Sequence, residues 1–174
     1  FPTLSLSIGY ATRSKPRELQ KLMAGQSPTV VEIDYSYNEA VLDVEVLRLT
    51  DGETLNAYSQ INLMAEKYRS LLQQPSRGRN RRQDVYDLAL LPKGVIPLNG
   101  SEQYRLLQFF TASAIARNSE PQVHSLRDPQ VRAMSSKGYD TLEPEIEGDL
   151  PPFEDAYKVV QDFYEGLPWS LPTP

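Results

Sequence analysis

Apolar and polar positions mostly alternate in the first third of this chain, interrupted by one short helical stripe, and take helical spacing in the rest. Leu4 to Tyr10 alternates apolar with hydroxyl residues, a strand pattern. Ser14 and Pro16 mark a helix start; Leu19, Leu22 and Met23 give it a short apolar stripe, which stops near Gly25. Thr29–Tyr37 and Ala40–Leu49 read as two further strands, with Ser36-Tyr37-Asn38-Glu39 as the turn between them. On the first of these, Val31, Ile33 and Tyr35 form an apolar face, while Val30, Glu32 and Asp34 share the other. Asp51-Gly52 signals a tight turn, after which Thr54 to Tyr58 leads into a helix.

From residue 59 the spacing is helical. Ser59 is placed to cap a helix whose apolar face is Ile61, Met64, Tyr68, Leu71 and Leu72. Lys67 shares a ridge with Leu63 and Leu71 and so lies at the edge of the buried stripe. Gln74-Pro75-Ser76-Arg77-Gly78-Arg79-Asn80 reads as a loop. A second helix follows, in which Asp84, Leu88 and Leu91 align at i, i+4 and i+7 with Asp87 adjacent. Beyond Pro92-Lys93-Gly94, Ser101 is expected to cap a long helix that buries Leu106, Leu107, Phe109, Phe110, Ala114 and Ile115. Asp128–Met134 gives a shorter helix, 138–150 reads as a linker, and Pro151–Leu167 is an amphipathic helix with Phe153, Tyr157, Val160 and Phe163 or Tyr164 inward. The end, 168–172, reads as an extended docking tail. The pattern is that of an α+β chain: a small mixed or antiparallel sheet followed by a helical bundle. The sheet portion is expected at 1–57 and the helical portion at 58–174, in a single compact unit.

Composition narrows the choice of chemistry. A chain of 174 residues is one domain by size and buries roughly 70% of its unfolded surface. No run approaches the ~20 apolar residues of a membrane span. The absence of cysteine excludes disulfides and thiolate metal sites and fits a reducing cytoplasm. With one histidine, His124, neither a zinc site nor a Ser-His-Asp triad is expected. The net charge of −5 hides a polarity, because Arg77, Arg79, Arg81 and Arg82 cluster whereas 140–155 is acidic without one basic residue. Most aromatic residues are expected in the core and not as platforms for bases.

The carboxylates of Asp84 and Asp87 border an apolar face, and a carboxylate withdrawn from water is costly unless it is paired or hydrogen-bonded. Two readings stay open. One is a salt bridge that ties two helices together, with Asp84 as cap and dipole partner of its own helix. The other is a site where an anion, such as a nucleotide phosphate, sits between Lys67 and the basic loop.

Ala65-Glu66-Lys67-Tyr68-Arg69-Ser70-Leu71-Leu72 followed by Arg81-Arg82-Gln83-Asp84-Val85-Tyr86-Asp87-Leu88 resembles the two C-terminal motifs of the AbiEii/AbiGii nucleotidyltransferase-like toxin family, an EKL-x-A-type helix and an R-D-x-x-D-L-type helix. Val31-Glu32-Ile33-Asp34-Tyr35 resembles that family's strand bearing a glutamate, so the likeness spans 29–92. One departure stands against it. The family's early Gly-Ser or Gly-Gly turn and Asp-x-Asp strand have no counterpart, since only Gly9 precedes Gly25 and no aspartate precedes Asp34. Asp43-Val44-Glu45 alternates correctly but follows the glutamate strand, and a glutamate replaces its second aspartate. The chain opens on Phe1, and the expectation is the later part of a longer protein, with an incomplete active site as it stands.

The resemblance implies transfer of a nucleotide from a nucleoside triphosphate to an RNA acceptor, tRNA foremost, with magnesium as cofactor and a cognate antitoxin as partner in the cytoplasm. It implies Lys67 on the triphosphate, Asp84 as an acidic active-site residue, and Glu32 as the third carboxylate and metal ligand. Asp87 and Glu66 would support them. Arg69, Arg77, Arg79, Arg81 and Arg82 would contact triphosphate or RNA backbone. The rival expectation is a non-catalytic domain that binds RNA or an antitoxin through the basic loop.

Overall fold

The computed structural model describes residues 3–37, 41–91 and 97–170. The chain divides into two compact units, Phe1–Ala40 and Val41–Pro174.

In the first unit β1 (Thr3–Tyr10) pairs antiparallel with β2 (Thr29–Ser36), with α1 (Pro16–Met23) between them in sequence. The register sets Leu4 against Tyr35, Leu6 against Ile33 and Ile8 against Val31. Directly paired residues share a sheet face, so one face is apolar while Ser5 and Ser7 sit with Asp34 and Glu32 on the other. Lys15, and not Ser14, occupies the N-cap of α1, and Pro16 opens its first turn. The helix ends at Ala24 because Gly25 takes a left-handed conformation, φ +71°. Gly9 admits the return of the chain: a Cβ there would lie 2.8 Å from Ser27 Cβ and 3.2 Å from Leu22 Cδ1.

The second unit begins with a hairpin of β3 (Val44–Arg48) and β4 (Thr54–Tyr58), paired Val44 to Tyr58 and Leu47 to Leu55. β2 and β3, expected to be joined by a turn, therefore each pair with a different strand, giving two antiparallel sheets. Asn38 and Glu39 of that turn lie outside the described residues. Gly52 turns the hairpin at φ +90°, and Asp51 Oδ1 accepts from the Glu53 amide.

Ser59 caps α2 (Gln60–Leu72) as expected, accepting from the Asn62 amide at 3.1 Å. The next segment is not all loop: α3 (Gln74–Arg77) is a single turn that Gly78 closes at φ +61°. Its cause is Gln74, which is buried and therefore fixes the chain where a polar run suggested solvent. α4 (Arg82–Leu90) follows. Then α5 (Gly100–Ile115) is capped by Asn99 and not by Ser101. Asn99 Oδ1 accepts from the Ser101 and Glu102 amides, and the Glu102 carboxylate accepts from the Asn99 amide, a closed capping box. Ile115, in the last turn, is exposed rather than buried, and Phe109 is half-buried.

α6 (Pro129–Ser136) is capped by Asp128. The stretch read as a linker contains a 3₁₀ segment, Tyr139–Glu145, because Tyr139 and Leu142 fall on one side of a three-residue turn and are buried together. α7 (Phe153–Glu165) buries Ala156, Tyr157, Val160 and Tyr164. α2 packs on α4 and α5, and α4 on α7. At the centre the rings of Tyr68, Phe110 and Tyr164 stand 5.4–6.2 Å apart. The hydroxyls of Tyr68, Tyr157 and Tyr164 each donate to a backbone carbonyl, of Val160, Leu126 and Gln122. The tail docks through Trp169, whose indole N–H donates to the Tyr164 carbonyl at 2.8 Å; Leu171 and Pro172 lie outside the described residues.

Candidate functional site

The apolar stripe of α2 turns Lys67 toward α4, where Asp84 stands in the first turn and Asp87 one turn later. The ammonium lies 2.9 Å from Asp84 Oδ1 and 2.6 Å from Asp87 Oδ2. The Lys67, Asp84 and Asp87 side chains are 17%, 14% and 31% exposed. One cation thus sits between two carboxylates at the rim of the core. Burial pushes the Lys67 pKa down, but the hydrogen bond to Asp87 and the charge of Asp84 outweigh it, so the ammonium stays protonated above its ordinary range. Asp84 is not the cap of α4: Arg81 holds that position, without a side-chain hydrogen bond. It does place a negative charge in the first turn, where the helix dipole favours one.

Glu66 and Arg69 lie elsewhere on α2. Glu66 Oε2 accepts from Arg69 Nε at 3.0 Å and from a second guanidinium nitrogen, while its other oxygen accepts from Ser113 of α5. The buried Arg69 guanidinium also donates to Gln73 Oε1 at 2.7 Å. These residues tie α2 to α5. Arg77, Arg79 and Arg81 line a small concavity beside Arg69 and Gln73. Arg82 departs from them, since its side chain passes Gly138 and its buried Nε has no partner among the described residues.

The structure therefore brings Lys67, Asp84 and Asp87 together and groups three of the arginines separately. Glu32 belongs to the first unit, where it pairs across the sheet with Ser7, and the lysine cluster belongs to the second. Among the described residues there is no group of three or more His, Cys, Asp or Glu side chains placed to hold a metal. Asp84 and Asp87 are both engaged by Lys67, and among the described residues no third carboxylate joins them, so this cluster does not offer a magnesium ligand set. Gln73, Gln74 and Ser113 form part of these networks without a sequence signal, because a lone amide or hydroxyl in a polar stretch looks like surface.

Among the described residues no helix is long and apolar enough to cross a membrane. Comparison with curated proteins and with solved structures finds no match. A family model described as nucleotidyl transferase AbiEii toxin, type IV toxin–antitoxin system, matches residues 2–159, and the chain belongs to that family.

Proposed function

We propose that this chain serves nucleotide transfer from a nucleoside triphosphate to an RNA acceptor, tRNA foremost, as the toxin half of a toxin–antitoxin pair, and that Lys67 is its phosphate-binding residue. The observation that supports this is the meeting of the two motifs at one point, with Lys67 shared by Asp84 and Asp87. An ammonium has three donors. Two point at the aspartates, and the third is suited to a phosphate oxygen. The carboxylates hold the ammonium in place before nucleotide arrives, which spares the ordering of a long side chain on binding.

In the transfer, an RNA hydroxyl oxygen bonds to the α-phosphorus while the bond from that phosphorus to the α,β-bridging oxygen breaks. Pyrophosphate leaves, and the hydroxyl proton passes to a carboxylate. Lys67 offsets charge that builds on the phosphate oxygens, a role of positioning and electrostatics. Asp84 keeps Lys67 oriented and is the proposed acidic partner near the incoming hydroxyl. Among the described residues the Lys67 cluster offers no fitting ligand set for magnesium. Membership of a type IV toxin–antitoxin family implies an antitoxin as partner, which counteracts the toxin.

The missing Asp-x-Asp strand favours a second reading, a non-catalytic domain that binds RNA or an antitoxin. Nucleotide binding separates the two. Titration calorimetry with each of the four triphosphates should show binding to the wild type that Lys67→Met removes, while the variant keeps its helical circular dichroism. Equal binding by both proteins would sink the proposed role of Lys67.

A further inference from the structure

The arginines of the 77–81 loop are held together in a way that a solvated charge run does not require. No carboxylate among the described residues forms an ion pair with Arg77, Arg79 or Arg81, and Arg69 beside them is already neutralised by Glu66. Burial and the charges of Arg69, Arg117, Arg79 and Arg81 push the Arg77 pKa down, the mark of like charges crowded at one place. Neutral hydrogen bonds keep them there. Gln74, 1% exposed, donates from Nε2 to Ser135 Oγ at 2.8 Å and to the Leu71 carbonyl at 3.1 Å, and its Oε1 accepts from the Arg81 amide at 2.8 Å. Asn80 Oδ1 accepts from the Arg82 amide at 2.8 Å, and Asn80 Nδ2 donates to the Lys137 carbonyl. The fold thus fixes the backbone of the loop from a core amide and accepts the repulsion between its side chains. A bound polyanion would relieve that repulsion.

The position of the cluster narrows the polyanion. Lys67 and Arg69 are two residues apart on α2, hence about 200° apart around the helix axis. Lys67 faces Asp84 and Asp87, and Arg69 faces Glu66 and Gln73. A triphosphate seated on Lys67 is therefore on the other side of the helix from the arginine concavity. The concavity is far smaller than the clefts that enclose a nucleotide. No aromatic ring lines it, so it offers bases nothing to stack on. What remains is recognition of successive phosphates along a strand, for which the planar guanidinium fork is suited.

We propose that Arg77, Arg79 and Arg81 form a phosphodiester-backbone site for acceptor RNA, separate from the nucleotide site at Lys67. The inference rests on the reading that the chain handles RNA, but not on the role of Lys67. The test is fluorescence anisotropy of the wild type, of an Arg77→Gln/Arg79→Gln/Arg81→Gln variant and of Lys67→Met, with a fluorescein-labelled single-stranded RNA and a labelled tRNA transcript over a range of KCl. Counterion release gives a slope of about −0.7 in log K against log salt per phosphate contact on a single strand, so the triple variant should lose about 2 from the slope. It should bind triphosphates as the wild type does, and Lys67→Met should keep the RNA slope. A wild-type RNA slope in the triple variant overturns the proposal. So does loss of triphosphate binding in that variant, which would assign the arginines to the nucleotide. Displacement of RNA by polyglutamate at equal charge would assign the site to acidic protein and overturn it likewise. If Lys67→Met alone leaves triphosphate binding intact, the nucleotide reading fails while this site stands on its RNA arm.

Discussion

Replacing Lys67 by methionine keeps the aliphatic stem and removes the charge, and the geometry sets how much that should matter. Two ion-pair contacts, at 2.9 and 2.6 Å, are lost, between side chains 14–31% exposed. Exposed pairs contribute about 0–1 kcal/mol, and breaking a fully buried one costs about 3–5, because a charge is left behind without a partner. The cluster lies between these limits, so Lys67→Met should cost about 2 kcal/mol and lower the melting temperature by about 4–8 °C for a protein of this size. In a background already carrying Asp84→Asn and Asp87→Asn the same change leaves no stranded carboxylate, and its cost should fall below about 1 kcal/mol, a coupling of about 1–2 kcal/mol. Urea titration followed by fluorescence reads this directly. The chain has one tryptophan, Trp169, and its ring stands 5.0 Å from Tyr164 and 6.2 Å from Phe110 in the core that α2 helps to build. An equal cost of Lys67→Met in both backgrounds would refute the electrostatic account of the α2–α4 contact.

Two further outcomes follow from packing and protonation. Gly9→Ala should destabilise the first unit by about 1–3 kcal/mol, since the added Cβ meets Ser27 and Leu22; unchanged hydrogen-exchange protection of the β1 and α1 amides would contradict the close approach. Alkaline pH should unfold the helical core. Burial pushes the Tyr157 phenol up to about 12 from its ordinary 10.0, and burial also raises Tyr68 and Tyr164. A group whose folded pKa exceeds its unfolded value contributes stability that is full below the unfolded pKa and lost as pH rises through the folded one. Lys67 acts in the same direction from 10.5 upward. Urea midpoints measured against pH should therefore fall above pH 10, and less steeply for Tyr157→Phe than for the wild type. Identical slopes would remove Tyr157 from the account.

The Lys67–Asp84–Asp87 cluster was legible in the sequence because one rule places all three: residues at the edge of an apolar helical stripe meet those at the edge of its neighbour's. Ser59 as a cap and the burial of Tyr157 and Val160 were legible for the same reason of local period. Strand pairing was not, since alternation tells which residues share a face but not which strand lies alongside. β2 and β3 both alternate, and each found another partner. The choice between Asn99 and Ser101 as cap was decidable, because only Asn99 has a glutamate three residues on to close the box. Gln74 could not be foreseen. Its weight comes from Ser135 of α6 and the Arg81 amide, partners brought by folding. The 3₁₀ segment was hidden by its acidic neighbours, which mask the three-residue spacing of Tyr139 and Leu142.

The assignment of this AbiEii family member to nucleotide transfer is tested most directly by transfer of label itself. The protein expressed from its own gene would be incubated with each radiolabelled triphosphate, magnesium and total tRNA, beside an Asp84→Ala variant shown to be folded. Nucleotide transfer at this site puts label on RNA with the wild type and none with the variant. Label that persists without Asp84, or RNA binding with no label under any triphosphate, would contradict it.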